Sequence, residues 1–181
     1  MATALVILAD GCEEIEVTTI IDVLRRGAVE VTTATIANEQ VIGAHKMKLL
    51  AETHLNAVAS NSFDMVILPG GQPGTDNLLA SSEVNTLVTD MSERGAYVAA
   101  ICAAPLVLSK AGLLKSKRAT CYPFYQKDLN CHELVKDEKV VTDGNITTSQ
   151  GPGTAMHFAL RLVEILSGEE KARQVADDLL F

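Results

Sequence analysis

The sequence predicts an α/β sandwich built on a mostly parallel sheet. Two observations carry that expectation. Continuous aliphatic runs such as Ala4-Leu-Val-Ile-Leu-Ala9 read as strands buried on both faces. Between the runs lie stretches with helical apolar spacing, several of them closed by glycine. Strands that alternate with helices bury both sheet faces under helical layers. At 181 residues, 48% hydrophobic and 21% charged, the chain is expected to form one domain over 1–181, with ample apolar material for a core.

The elements follow in order. After the first strand, Glu13 to Arg26 repeats apolar residues at Ile15, Ile20, Val23 and Leu24, which predicts a helix ending at Gly27. Val29 to Ile36 is β-branched and strand-like, and Val41–Ile42 with Met47–Leu50 predicts a short hairpin around Gly43. Asp64 to Leu68 is a second buried strand, ended by Pro69-Gly70-Gly71. Ser82 to Arg94 is helical, with Ser82 in the N-cap region and Gly95 just beyond its end. Tyr97 to Ile101 is a strand that runs through Cys102 into a helix over Ala103 to Ala111. Arg118 to Cys121 reads as a short strand. Lys139–Thr142 and Asn145–Thr148 flank an Asp143-Gly144 hairpin turn. Gly151-Pro-Gly-Thr154 opens a long helix to Leu166, and Gly168 separates it from a last helix, Glu169 to Leu180.

Composition narrows the function. A net charge of −8 argues against a nucleic-acid partner, which calls for a basic patch. With no Trp and 4% aromatics, platforms for stacked bases are scarce. The uncharged, strongly apolar stretch Ala96 to Ser109 is too short for a membrane span. No charged leader or cleavage site accompanies the first apolar run, so the expectation is a cytoplasmic protein. The four cysteines, Cys12, Cys102, Cys121 and Cys131, lack Cys-x-x-Cys spacing, and in that compartment they stay reduced. No four-ligand zinc set and no nucleotide-binding glycine motif can be assembled, so neither a metal nor a cofactor is expected.

Ligands of parallel sheets bind beyond the carboxyl ends of the strands. Loops leaving such ends are Asp10 to Glu16, Pro69 to Gly74, Cys102, and Ser149 to Gly153, and a parallel sheet would crowd them on one rim. Cys102 lies between strand and helix with Ala100 and Ala104 on either side, a spacing that suits a nucleophile elbow. A helix N-terminus there is expected to lower the thiol's pKa. Gly70 and Gly71 offer unobstructed backbone amides. A glutamate facing the thiol would share one proton with it, because two adjacent negative charges coexist poorly. Cys12 lies near Glu16 in sequence and is expected to be accessible. His45 and His54 read as surface residues.

The motifs Gly11-Cys-Glu-Glu-Ile-Glu16, Val66-Ile-Leu-Pro-Gly-Gly71, Ala99-Ala-Ile-Cys-Ala-Ala-Pro105 and Thr148-Ser-Gln-Gly-Pro-Gly-Thr154, with the first strand, resemble the ThiJ/PfpI superfamily. Within it they resemble the branch of the Parkinsonism-linked protein deglycase and bacterial YajL. The resemblance implies a flavodoxin-like three-layer sandwich and a homodimer. It implies that Cys102 is an oxidation-sensitive nucleophile, that Glu16 is its protonated partner, and that Gly70, Gly71 and Ala103 supply backbone amides. The activities it implies are cofactor-free glyoxalase chemistry on methylglyoxal, deglycation of α-oxoaldehyde adducts on proteins and thiols, and stress protection. Its alternative is a redox sensor or chaperone switched by oxidation of Cys102 to a sulfinate. Three positions depart from the pattern. Ala103 follows Cys102 where protease-like members carry His, so peptidase activity is not expected. Tyr122 precedes Pro123 where animal members often carry His, leaving a phenol to orient a carbonyl substrate. Ala44-His45 replaces a Ser-Arg pair, which weakens anion clamping at that turn.

Overall fold

The aliphatic runs become the inner strands of a central sheet in the computed structural model, which describes residues 1–59 and 62–181. In chain order the elements are β1 (Thr3–Leu8), α1 (Glu14–Arg26), β2 (Glu30–Thr35), the β3 (Gln40–Ile42) and β4 (Lys48–Leu50) hairpin, β5 (Thr53–His54) and α2 (Leu55–Val58). They continue with β6 (Met65–Leu68), α3 (Gly74–Ala80), α4 (Ser82–Glu93), β7 (Tyr97–Ile101), α5 (Pro105–Lys110) and β8 (Arg118–Ala119). Last come a 3₁₀ turn at Pro123–Asp128, β9 (Glu133–Leu134), β10 (Val140–Asp143), β11 (Ile146–Ser149), α6 (Ala155–Ser167) and α7 (Glu169–Asp178).

Seven strands form the sheet in the order β10-β11-β7-β6-β1-β2-β5, and every pairing is parallel except β10 with β11. The pleat divides β1 between two cores. Ala4, Val6 and Leu8 face Val17 and Ile20 of α1 and Phe158 and Leu162 of α6. Leu5 and Ile7 face Leu78, Val88 and Met91 of α3 and α4, with Val107 of α5. Helices therefore cover both faces, giving the flavodoxin-like three-layer sandwich.

Differences from the expected elements have local causes. Ile15 was placed on the apolar face of α1, yet it is exposed, and the buried residues there are Glu14, Glu16 and Val17. The α4 cap is Ser81, whose side chain accepts from the Val84 N–H, one residue before the expected site. Asp143 pairs with Ile146, so the hairpin turn is Gly144–Asn145, shifted by one residue from Asp143-Gly144. No sequence signal announces α3, β5, α2 or β9. The first reads as a loop because it opens on Gly74 after Pro73, and the others are too short to show periodicity.

Candidate active site

Strands β11, β7, β6 and β1 are consecutive and parallel, so the loops beyond their carboxyl ends share one rim. There the structure brings together Cys102, Glu16, Gly70, Gly71 and Ala103. Cys102 ends β7 with φ +64°, a left-handed conformation that non-glycine residues rarely adopt. Two backbone hydrogen bonds hold it in that turn. Its N–H donates to the Ser149 carbonyl at 3.0 Å, and its carbonyl accepts from the Tyr122 N–H at 2.8 Å. Ala100 and Ala104 are fully buried on either side, as a tight strand-to-helix elbow requires.

The first turn of α1 carries Glu16 inward until it is fully buried. Its Oε2 accepts from the Gly70 N–H at 2.7 Å. Its Oε1 is buried without a nitrogen or oxygen partner among the described residues, and the Cys102 thiol is the group left beside the carboxyl. Gly70 makes this meeting possible, because a Cβ there would lie 2.6 Å from Cys102 Cβ and 2.9 Å from the Ile101 carbonyl oxygen. The three amides expected around the thiol divide their work. Those of Gly71 and Ala103 point at the sulfur, whereas that of Gly70 is taken by Glu16 and is not free for a substrate oxyanion.

Electrostatics at this pair run against the expectation of a lowered thiol pKa. Burial first, and then the Glu16 charge, push Cys102 up to about 12, outweighing the Gly71 and Ala103 amides. Burial also pushes Glu16 up to about 7, helped by the nearby Glu13 charge and opposed by the Gly70 amide. The helix beyond the thiol, α5, is six residues long, and the sulfur is nearly closed off from solvent. The pair therefore gives up one proton near neutrality and holds the other far above it.

Tyr122 is half-exposed one side-chain width from the thiol. A Cβ on Gly151 would touch Tyr122 Cδ2 at 3.1 Å and lie 3.9 Å from Cys102 Sγ. Gly151 is read from the sequence as a helix opener and as part of the Ser149 to Gly153 rim loop, and its place beside the sulfur comes from β11 lying next to β7. Cys12 is buried rather than accessible, and burial followed by the Glu14 charge raises its thiol to about 12. Cys121 is buried as well, and Cys131 partly so. His45 is exposed as expected, yet it is tied down: Nδ1 lies 2.9 Å from Glu14 Oε2, and its N–H donates to Glu14 Oε1 at 2.7 Å. A cleft of about 500 Å³ between Asp10, Asn77 and Glu83 does not include the thiol. Among the described residues no helix is long and apolar enough to cross a membrane.

Parallel sheet, helices on both faces and a thiol elbow against a buried carboxyl define a flavodoxin-like α/β protein with its site on the carboxyl rim. The chain belongs to the DJ-1/PfpI family, whose model matches residues 2–165. It is 46% identical over 180 residues to Protein dj-1beta of Drosophila melanogaster, covering 98% of this chain and 96% of that one. It is 36% identical over 180 residues to glutathione-independent glyoxalase DJR-1.2 of Caenorhabditis elegans, covering 98% and 95%. The solved structure of oxidized Toxoplasma gondii DJ-1 superposes with a TM-score of 0.95 at 34% identity, covering 100% of this chain and 99% of that one.

Proposed function

We propose that this chain, acting as one domain, is a cofactor-independent thiol enzyme that converts α-oxoaldehydes such as methylglyoxal to 2-hydroxy acids. The observation that carries the reading is the buried Cys102–Glu16 pair with one proton to move near neutrality. A carboxylate that titrates at about 7 suits a general base at neutral pH. Glu16 takes the thiol proton as Cys102 Sγ adds to the aldehyde carbon and hands it to the new alkoxide oxygen, forming a hemithioacetal and becoming a carboxylate again. The Gly71 and Ala103 amides steady the sulfur during the attack. Glu16 then carries a proton from the former aldehyde carbon to the neighbouring carbonyl carbon while the hydroxyl proton passes from the first oxygen to the second, which oxidises the first carbon to a thioester and reduces the second to an alcohol. Water hydrolyses the resulting thioester to lactate and returns the thiol. Tyr122, on the far side of Gly151 from the sulfur, would orient the substrate carbonyl. The same addition and proton movement would release α-oxoaldehyde adducts from proteins or small thiols. The glyoxalase name of the Caenorhabditis elegans relative supports this reading. Lactate formed from methylglyoxal tests it: activity should vanish in Cys102→Ser, and a variant that keeps the wild-type rate refutes the mechanism.

A second reading rests on the partnerless Glu16 Oε1. A protonated carboxyl there would donate to a sulfinate oxygen, so that two equivalents of peroxide convert the Cys102 thiol to a sulfinate and two waters. An oxidised relative of the same fold supports it. Mass spectrometry after mild peroxide should find two added oxygens on Cys102, and preferential oxidation of Cys131 would refute it. In either reading we propose a homodimer, for which exposed Ile15, Met47 and Leu50 supply apolar surface. Sedimentation of a monomer at micromolar concentration would remove that part of the proposal.

A further inference from the structure

We infer that Thr154 is a positioning residue for Cys102, its hydroxyl clasping the rim loop after β11 against the elbow that carries the thiol. The inference rests on the proposed reactivity of Cys102 and adds to it a residue outside the reacting pair.

A threonine directly before a helix ordinarily caps it, its oxygen accepting from an N–H of the first turn. Thr154 holds that position before the 13-residue α6, yet its side chain caps no α6 amide. The hydroxyl turns back into the loop instead. Its Oγ1 accepts from the Gly151 N–H at 3.0 Å, and it lies 2.9 Å from the Gly151 carbonyl oxygen and 2.8 Å from Ser149 Oγ. The protons on these groups can be assigned. Ser149 is fully buried, and its hydroxyl gives its proton to the Lys139 carbonyl at 2.6 Å, because a carbonyl only accepts. The single Thr154 proton is therefore shared between the Gly151 carbonyl and Ser149 Oγ. The Thr154 N–H closes the same turn, donating to the Gly151 carbonyl at 2.8 Å. A side chain turned from its helix to one loop serves the loop.

Both ends of the clasp reach the thiol. At Ser149, the main-chain carbonyl accepts the Cys102 N–H at 3.0 Å, which helps to hold the φ of +64°. A residue in that sparsely populated conformation persists only where its surroundings fix it. At Gly151, a Cβ would lie 3.9 Å from Cys102 Sγ, so the loop backbone stands beside the sulfur. Cys102 is 8% exposed, and this loop is part of what closes it off. Lys139, directly before β10, ties the clasp to the edge of the sheet through its carbonyl. Without the Thr154 oxygen, the buried Gly151 N–H has no other acceptor among the described residues. The loop would then shift to find one, and the wall beside the sulfur would shift with it.

Thr154→Val keeps the shape of the side chain and removes the hydroxyl. Lactate formation from methylglyoxal should lose kcat by up to roughly a hundredfold with KM little changed, the scale of a small misplacement of the reacting group. Thr154→Ser, which restores the hydroxyl, should recover most of that loss. Iodoacetamide labelling, quantified peptide by peptide at pH 7, supplies the second readout. Cys102 should label faster in Thr154→Val than in the wild type, while the buried Cys12 and Cys121 keep their wild-type rates. Ser149→Ala removes the bridge from its other end and should repeat the pattern, which keeps the test decisive if Thr154→Val does not fold. Wild-type kcat and Cys102 labelling in folded Thr154→Val would overturn the inference, as would a loss that Thr154→Ser fails to restore. Labelling that rises equally at Cys12 and Cys121 would mean general loosening and would overturn it too. If the wild type forms no lactate, the enzyme reading fails alone, and the labelling pattern still decides the clasp.

Discussion

Replacing Glu16 with Gln separates the two protons of the buried pair, and alkylation of Cys102 can read the result. In the wild type, the Glu16 carboxyl gives up its proton at about 7. Above that pH, burial and, after it, the cost of placing two negative charges in contact hold the thiol at about 12. The thiolate that reacts between those values exists only while the remaining proton sits on Glu16. Its fraction therefore stops rising once the carboxyl has titrated. In Glu16→Gln there is no charge to oppose, and the thiol titrates alone, below the wild-type value and still raised by burial. Its thiolate fraction climbs tenfold per pH unit with no plateau. The two curves should run together below pH 7 and part above it, with the variant ahead by roughly a hundredfold at pH 9, two units past the carboxyl. Iodoacetamide labelling from pH 5 to 10, quantified on the Cys102 peptide, makes the comparison. A wild-type rate that keeps rising tenfold per unit through pH 9 would show that the two groups do not share a proton, and the mechanism built on them would fail.

The same substitution should change stability. A carboxyl whose folded value is raised from 4.5 to about 7 favours the fold fully below 4.5 and loses that contribution as pH rises through 7, about 3 kcal/mol in all. Melting temperatures from pH 4 to 8 should show Glu16→Gln gaining steadily on the wild type, and a constant gap would contradict the burial argument. Gly70→Ala should cost about 1–3 kcal/mol in urea denaturation and slow Cys102 alkylation, since its methyl would press on Cys102 Cβ and the Ile101 carbonyl. Wild-type stability in that variant would mean the elbow has more room than the geometry allows. Phe158→Ala, at a fully buried ring between α6 and the sheet, should cost about 3–5 kcal/mol. At about 2–4 °C per kcal/mol, calorimetry should find Tm lower by roughly 6–20 °C.

What the sequence discloses and what it hides divide along a physical line. Backbone demands are local, so they are written locally. Aliphatic runs announced β1 and β6, and the alanines around Cys102 announced an elbow, whose φ of +64° needs small neighbours. The shared rim followed from topology, because parallel strands in sequence-alternating folds put their carboxyl ends together. Solvent exclusion is a tertiary quantity and left no such mark. Ile15 and Glu16 are adjacent in a helix whose spacing favoured burying the isoleucine, yet the glutamate is the buried one, because Gly70 and Cys102 arrive from distant strands to receive it. Glu14 and His45 are 31 residues apart, and no spacing rule joins them until the β3–β4 turn folds back over α1. The direction of the Cys102 shift was misjudged for the same reason. A helix N-terminus is legible, and its pull on a thiolate is real, but a six-residue helix cannot offset burial together with a neighbouring carboxylate. Where the proton rests is decided by the pair and its surroundings, so a reactive thiol here is one whose proton has a nearby place to go.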